Sequence, residues 1–145
     1  DRHGPGVMAR VRAGVPVLGT NLPRNEMREA MEDGTLDALL PGPAIKAQQQ
    51  AIRRGHCDML PEQQVRPMTR IQIARDGPLP QRLAAPLPRD KTVVLTAGAA
   101  HVQRDVGVPL HLPERVRVRP LVLPTEETGR DYCAEMRRQI ERKTG

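Results

Sequence analysis

The near absence of aromatic side chains limits the kind of core that this chain can build. Among 145 residues there is no Trp, no Phe and one Tyr, Tyr132. Aromatic rings make the largest single contributions to burial in protein interiors, so the core here must be built from aliphatic side chains. Length and composition therefore predict one domain over residues 1–145, either of modest stability or incomplete as given.

The charge of the chain comes mainly from arginine. The formal net charge is +6, and the sequence holds 23 basic and 17 acidic residues. Proteins that bind single-stranded nucleic acid interleave such charge with aromatic stacking platforms, which this chain lacks. We therefore expect no nucleic-acid partner. Arginine is well suited to pairing with the carboxylates or phosphates of a small ligand.

The order of apolar runs and helix signals predicts an α/β fold with a central, mostly parallel sheet flanked by helices. Helices end at glycine or are followed by short apolar runs of the kind seen in buried parallel strands. The predicted strands lie near residues 15–19, 92–98 and 116–123. The predicted helices cover residues 7–13, 25–33, 44–54, 81–85 and 131–143, and one further helix begins at Pro61 and contains Pro67, which should kink it.

Two cysteines, Cys57 and Cys133, stand far apart in the sequence. They fit no CxxC metal-binding spacing. They could form one disulfide in an oxidising compartment or remain two buried thiols, and the sequence leaves both open. No run approaches the ~18 apolar residues that a membrane-spanning helix needs.

Histidines are the residues with the clearest ligand or acid–base potential. His101 directly follows the clearest predicted strand, at the end where open α/β sheets bind ligands, although a hydrogen-bonded histidine with no ligand fits the same position. His56, in a turn beside Cys57, could be a ligand or be held by backbone contacts. His111 is expected on the surface.

A second group of candidates lies on the helix that begins at Pro61. Gln72, Arg75 and Asp76 place three polar groups close together on a helix that otherwise packs, and an Arg75–Asp76 structural pair is the ordinary explanation. Met68 lies on the same predicted stripe, with Val65, and core packing is its ordinary role.

Four blocks of sequence resemble the ChaN family of haem-binding, iron-regulated bacterial lipoproteins. The blocks stand in the family's order at plausible spacing, over roughly residues 4–125. They are Asn21-Leu22-Pro23-Arg24, Gly55-His56-Cys57, Met68-x3-Gln72-x2-Arg75-Asp76, and Ala97-Gly98-x2-His101-Val102-x-Arg104-Asp105-x-Gly107-Val108-Pro109.

This resemblance implies haem binding for iron uptake or storage without catalysis, by a homodimer in the bacterial periplasm or outer membrane. A lipid anchor would lie upstream of Asp1, and the chain would correspond to the C-terminal two-thirds of the family domain. The family's haem ligation involves tyrosine. The haem-site candidates are the residues of the matching blocks with ligand or propionate-binding potential, namely His101, His56, Arg104, Arg75, Gln72 and Met68.

The alternative function is a metal-dependent hydrolase of the same wider superfamily, whose site histidines lie at strand ends. His56 and His101 would then converge at one sheet edge around a divalent metal. The acidic partner would come from a Gly-Glu-x-His type motif, which the resemblance places before Asp1.

Overall fold

The computed structural model describes residues 4–78, 91–124 and 129–144. Within these ranges the secondary structure consists of six α-helices and two short 3-10 helices. The α-helices are α1 (Gly4–Arg12), α2 (Arg24–Glu32), α3 (Gly42–Gly55), α4 (Glu62–Asp76), α5 (Ala99–Val102) and α6 (Tyr132–Thr144); the 3-10 helices are Gly34–Ala38 and Val108–His111.

Helix α4 is the centre of the packing and lies against α2, α3 and the first 3-10 helix. Its buried side includes Val65, Thr69, Ile73 and Asp76, each no more than 2% exposed. These positions follow the spacing of three to four residues that puts side chains on one helical face. The stripe predicted from the sequence is therefore right at Val65. Met68, on the same predicted stripe, is half-buried, as are Gln72 and Arg75.

Aliphatic side chains of three elements pack around α4. Leu40, Ala44 and Ile73 form a buried cluster, and the half-buried Leu36 and Ile45 pack against it. No aromatic ring contributes to this core, as the composition predicts.

An ion-pair network fastens the first 3-10 helix to α4. Arg70 donates to both carboxylate oxygens of Asp37, from Nε at 3.0 Å and from Nη2 at 2.9 Å, and its Nη1 donates to the Met31 carbonyl at 3.0 Å. Arg66 Nε adds a bond of 2.9 Å to the same carboxylate. The hydrogen bond from Arg70 lowers the pKa of Asp37 below its usual value. This network holds the segment that leads into α3 in place.

The central sheet predicted from the sequence is wrong. None of the described residues belongs to a β-strand, and the three predicted strands near 15–19, 92–98 and 116–123 lie outside regular structure. Their apolar side chains are largely open to solvent: Leu18 is 81% exposed, Val94 65% and Leu121 78%. A β-branched run shows a preference for extended backbone, but a strand also needs a partner to satisfy its ladder hydrogen bonds, and none of these runs has one in the described ranges.

Most of the helix predictions are confirmed, because local signals specify them. Helix α1 is closed by Gly14, whose φ of +69° is the left-handed conformation expected of a glycine cap. Helix α4 runs through Pro67. Asp131 accepts a bond of 2.9 Å from the backbone N–H of Ala134 at the start of α6. The predicted helix at 81–85 lies outside the described residues.

A disulfide joins Cys57, just past the end of α3, to Cys133 in α6. The two Cα atoms are 5.6 Å apart and the cysteines are separated by 76 residues in sequence. Of the two states that the sequence leaves open, the structure therefore has the disulfide. It links the last helix covalently to the helical core.

Candidate functional site

A buried carboxylate is paired with the leading candidate histidine. His101 Nδ1 lies 2.6 Å from Asp76 Oδ1. The Asp76 side chain is 2% exposed and that of His101 is 22% exposed. An aspartate this deeply buried needs a partner, since an unpaired charge away from water is costly. His101 Nδ1–H supplies it, while Nε2 makes no hydrogen bond to any residue of the described ranges.

Two glycines set the position of His101 on the short helix α5. A Cβ atom added to Gly107 would clash with the His101 carbonyl oxygen and would lie 2.6 Å from that of Ala100. Only glycine allows the chain to approach α5 this closely. On the other side, a Cβ on Gly98 would lie 3.7 Å from His101 Cδ2, the ring carbon next to Nε2. The backbone thus holds α5 tightly, and a Cβ at position 98 would make ordinary van der Waals contact with the imidazole.

The second histidine near Asp76 is His111, in the second 3-10 helix. Its Nε2 is buried and has no hydrogen-bond partner among the residues that the structure describes. Burial lowers the pKa of His111, and the negative charge of Asp76 partly opposes that effect. A Cβ on Gly77 would lie 3.9 Å from His111 Nδ1, so the C-terminal end of α4 meets both histidines. The sequence-based prediction that His111 lies on the surface is wrong, because it is half-buried.

Arg104 lines an open cleft of about 760 Å³ near the end of α3. Its Nη2 donates a hydrogen bond of 2.8 Å to the Val118 carbonyl, which fixes the guanidinium at the cleft. Arg54 and Arg119 also line this cleft. Neither side chain forms an ion pair or hydrogen bond with the described residues, so the cleft carries unpaired positive charge.

The remaining candidates have structural contacts of their own. His56 Nδ1 lies 2.8 Å from the Ile52 carbonyl at the end of α3. Arg75 Nη2 lies 3.1 Å from the sulfur of Met27, and its Nε is buried without a hydrogen-bond partner in the described part of the chain. The Arg75–Asp76 pair expected from the sequence is wrong, since Asp76 pairs with His101 instead. Met68 and Gln72 are half-buried on α4.

Two features of this region were missed at the level of sequence. The Asp76–His101 pair joins residues 25 positions apart, so no short motif contains it. The one signal in the sequence is the spacing of Asp76 from Val65, Thr69 and Ile73, which places it on the same helical face as these residues. The arginine cleft was missed because Arg54 and Arg119 lie in ordinary exposed, basic stretches of the chain.

Residues 2–112 match the model of a protein family described as haem-binding uptake, Tiki superfamily, ChaN. That span covers well over half of the 145 residues and includes Asp76, His101 and His111. The chain belongs to this ChaN family. The resemblance found in the sequence blocks is thereby confirmed. In this ChaN-family chain, Arg119 and helix α6 lie beyond the matched span.

No curated protein and no solved structure matches this ChaN-family chain. Within the described ranges, no helix is both long and apolar enough to cross a membrane. The same residues contain no group of three or more His, Cys, Asp or Glu side chains that could hold a metal ion.

Proposed function

We propose that this protein binds haem for iron uptake or storage, without catalysis, and that His101 Nε2 is the axial ligand. The observation that carries this proposal is the bond from His101 Nδ1 to buried Asp76 in a chain of a haem-binding family. Metal-ligating histidines commonly donate their other ring N–H to a carboxylate, which fixes the tautomer and raises the basicity of the ligating nitrogen.

The residues present fit a haem ligand in three respects. Asp76 accepts a hydrogen bond from Nδ1–H of His101, so Nε2 of the same ring keeps its lone pair for a metal. The imidazole is 22% exposed, so a ligand can reach it from solvent. Arg104 supplies a fixed guanidinium for a propionate. When bound, haem supplies an iron centre whose reactivity depends on its axial ligand and surroundings. His56, Met68, Gln72 and Arg75 stay predictions as further pocket residues.

Titration with haemin tests this proposal. We expect the protein to produce a saturable Soret shift, and His101→Gln to bind haemin at least about tenfold more weakly, or roughly 1.4 kcal/mol. Glutamine keeps an amide donor for Asp76 but removes the imidazole, so a loss of binding reports the ligand rather than the fold. His111→Ala should have a much smaller effect.

Tyr132 provides a matched comparison, because tyrosine ligation is the main alternative that the resemblance implies. Tyr132 is 46% exposed, and its ring lies 5.3 Å from the guanidinium carbon of Arg130. Tyr132→Phe should leave the Soret shift unchanged. A flat haemin response of the parent protein, or a loss of binding in Tyr132→Phe but not in His101→Gln, would contradict the assignment.

We also propose a location in the bacterial envelope, with a lipid anchor upstream of Asp1. The Cys57–Cys133 disulfide supports this, because disulfides persist in oxidising compartments such as the periplasm. Labelling of thiols in whole cells and in spheroplasts, before and after reduction, tests the location. Cysteines that react without reduction would contradict it.

The homodimer is part of the same proposal. Its support is the exposure of the apolar side chains Leu18, Val94 and Leu121, which a second copy of the chain would cover. Sedimentation equilibrium with and without haemin measures the oligomeric state. A monomer under both conditions would contradict a dimer.

A further inference from the structure

The arginine cleft, defined by Arg54, Arg104 and Arg119 with the apolar side chains Val102, Val118 and Val122, combines two kinds of surface. Three guanidinium groups face one lining carboxylate, that of Asp105. Guanidinium forks match carboxylates in planar, two-point hydrogen bonds. The valines offer an apolar wall beside that charge. A ligand that fits both surfaces is flat or bulky, apolar over most of its body, and carries carboxylates at one edge.

The positive charge in this cleft is not neutralised within the described ranges. The neighbouring residue Arg53 shows the contrast, because its Nη2 lies 2.6 Å from Glu62 Oε1. Arg54 has no such partner and is exposed. Arg104 is held by the Val118 carbonyl, a neutral acceptor that leaves its charge uncompensated. The cleft therefore combines unpaired cations with a guanidinium already fixed in position, which reduces the ordering cost of binding an anion.

The position of the cleft relates it to the proposed iron ligand. Val102 is the residue after His101, and Arg104 stands three positions after it. Both residues line the cleft. Its lining combines residues of α3, of α5 and of the segment that follows α5, and it opens widely to solvent. The matched family span ends before Arg119, so part of the cleft comes from sequence that the family model does not cover.

We propose that the arginine cleft binds the propionate carboxylates of a porphyrin, so that the anionic edge of the ring is recognised separately from its iron. This inference rests on the haem-binding function proposed above. It adds that Arg54 and Arg119, together with Arg104, determine which porphyrins bind. The cleft should therefore take porphyrins with free carboxylates and discriminate against those whose carboxylates are esterified.

Metal-free protoporphyrin IX and its dimethyl ester are the probes, because neither needs an axial ligand. Both would be titrated in the same detergent and followed by absorbance and fluorescence. We expect the diacid to bind at least about tenfold more tightly than the diester. The variant Arg54→Gln/Arg119→Gln should bind the diacid about tenfold more weakly and should remove most of the discrimination. Equal binding of diacid and diester by the parent protein would overturn the proposal.

A charge-matched control separates the cleft from the general basicity of the surface. Arg115 and Arg117 are exposed arginines in the same segment that do not line the cleft. The variant Arg115→Gln/Arg117→Gln loses the same charge and should bind the diacid like the parent. An equal loss in both double variants would show surface electrostatics only and overturn the proposal. Competition by inorganic phosphate at matched ionic strength would also overturn the proposal, since it would indicate a general anion site.

Haemin, titrated in parallel, distinguishes failure of this inference from failure of the proposed function. A saturable Soret shift without discrimination between diacid and diester overturns the cleft assignment and leaves haem binding in place. Discrimination between the metal-free porphyrins without any sign of iron ligation supports the cleft and contradicts His101 as the ligand. Absence of binding by all three compounds contradicts both.

Discussion

The carboxylate of Asp76 and the imidazole of His101 form a hydrogen bond of 2.6 Å between the end of α4 and the short helix α5. Because Asp76 is 2% exposed, this bond satisfies a group that would otherwise be buried without a partner. The same bond therefore stabilises the fold and orients the proposed haem ligand.

Replacing Asp76 with Asn tests the stabilising part of this relationship. The substitution keeps the shape of the side chain but replaces the charged acceptor of the His101 hydrogen bond with a neutral amide. We expect the free energy of unfolding to fall by about 1.5–3 kcal/mol, the usual range for a hydrogen bond to a charged group. Urea denaturation measures the change. Glu114→Gln, which removes an exposed carboxylate, is the control and should have little effect; equal stability of Asp76→Asn and the parent would contradict the account.

Gly107→Ala should destabilise the protein and displace His101. The added Cβ would clash with the His101 carbonyl oxygen, and the backbone holds both atoms in place. Overpacking of this kind costs about 1–3 kcal/mol. Gly55→Ala is the matched control, because nothing lies within 4 Å of a Cβ at that position. Thermal unfolding of both variants compares them, and a Gly107→Ala protein as stable as Gly55→Ala would show that the close approach does not occur.

His111 should make stability depend on pH in a defined direction. Burial lowers the pKa of His111 below the ordinary value of 6.5, so between these two values the unfolded chain binds more protons than the folded protein. Stability is therefore fully present above the ordinary value and is lost as the pH falls through it toward the lowered value. Midpoints of unfolding measured between about pH 8 and about pH 5 should show this loss. His111→Gln should reduce the slope, and an identical slope in both proteins would contradict the assignment.

Removal of the disulfide should destabilise the protein by about 2–4 kcal/mol, because the cross-link restricts the unfolded chain over a long loop. The bond joins Cys57 to Cys133, 76 residues apart. Cys57→Ser/Cys133→Ser would be compared with the parent under oxidising and reducing conditions. Reduction should lower the stability of the parent alone; equal behaviour of the two proteins would contradict a structural disulfide.

Much of the helical structure could be predicted from the sequence, because the relevant signals are local. Gly14 ends α1, Gly55 is the last residue of α3, and Pro61 directly precedes α4. The strands could not be predicted correctly, because a strand depends on a partner elsewhere in the chain. Val93 and Val94 have strong β preference and yet are 46% and 65% exposed, without a ladder. Preference alone cannot supply the partner.

The candidate site was predicted in part. His101 stands out through the small residues before it and through its family block. Its pairing with Asp76 depends on how α5 docks on α4, which in turn depends on Gly107, and sequence spacing does not encode that contact. His111 was expected on the surface because it follows Pro109 in a strand-like stretch, whereas this stretch folds into a 3-10 helix next to the buried residues Val106 and Val108, which are 4% and 2% exposed.

Haem ligation by His101 Nε2 is tested most directly by the resonance Raman spectrum of the ferrous haem complex, in the region of the iron–histidine stretching mode. A carboxylate that accepts a hydrogen bond from Nδ1–H makes the imidazole a stronger donor to iron, which strengthens the iron–histidine bond. We expect an iron–histidine mode in the parent protein. The mode should be absent in His101→Gln and should shift to lower frequency in Asp76→Asn. A spectrum without this mode, or one that Asp76→Asn leaves unchanged, would contradict ligation through the Asp76–His101 pair.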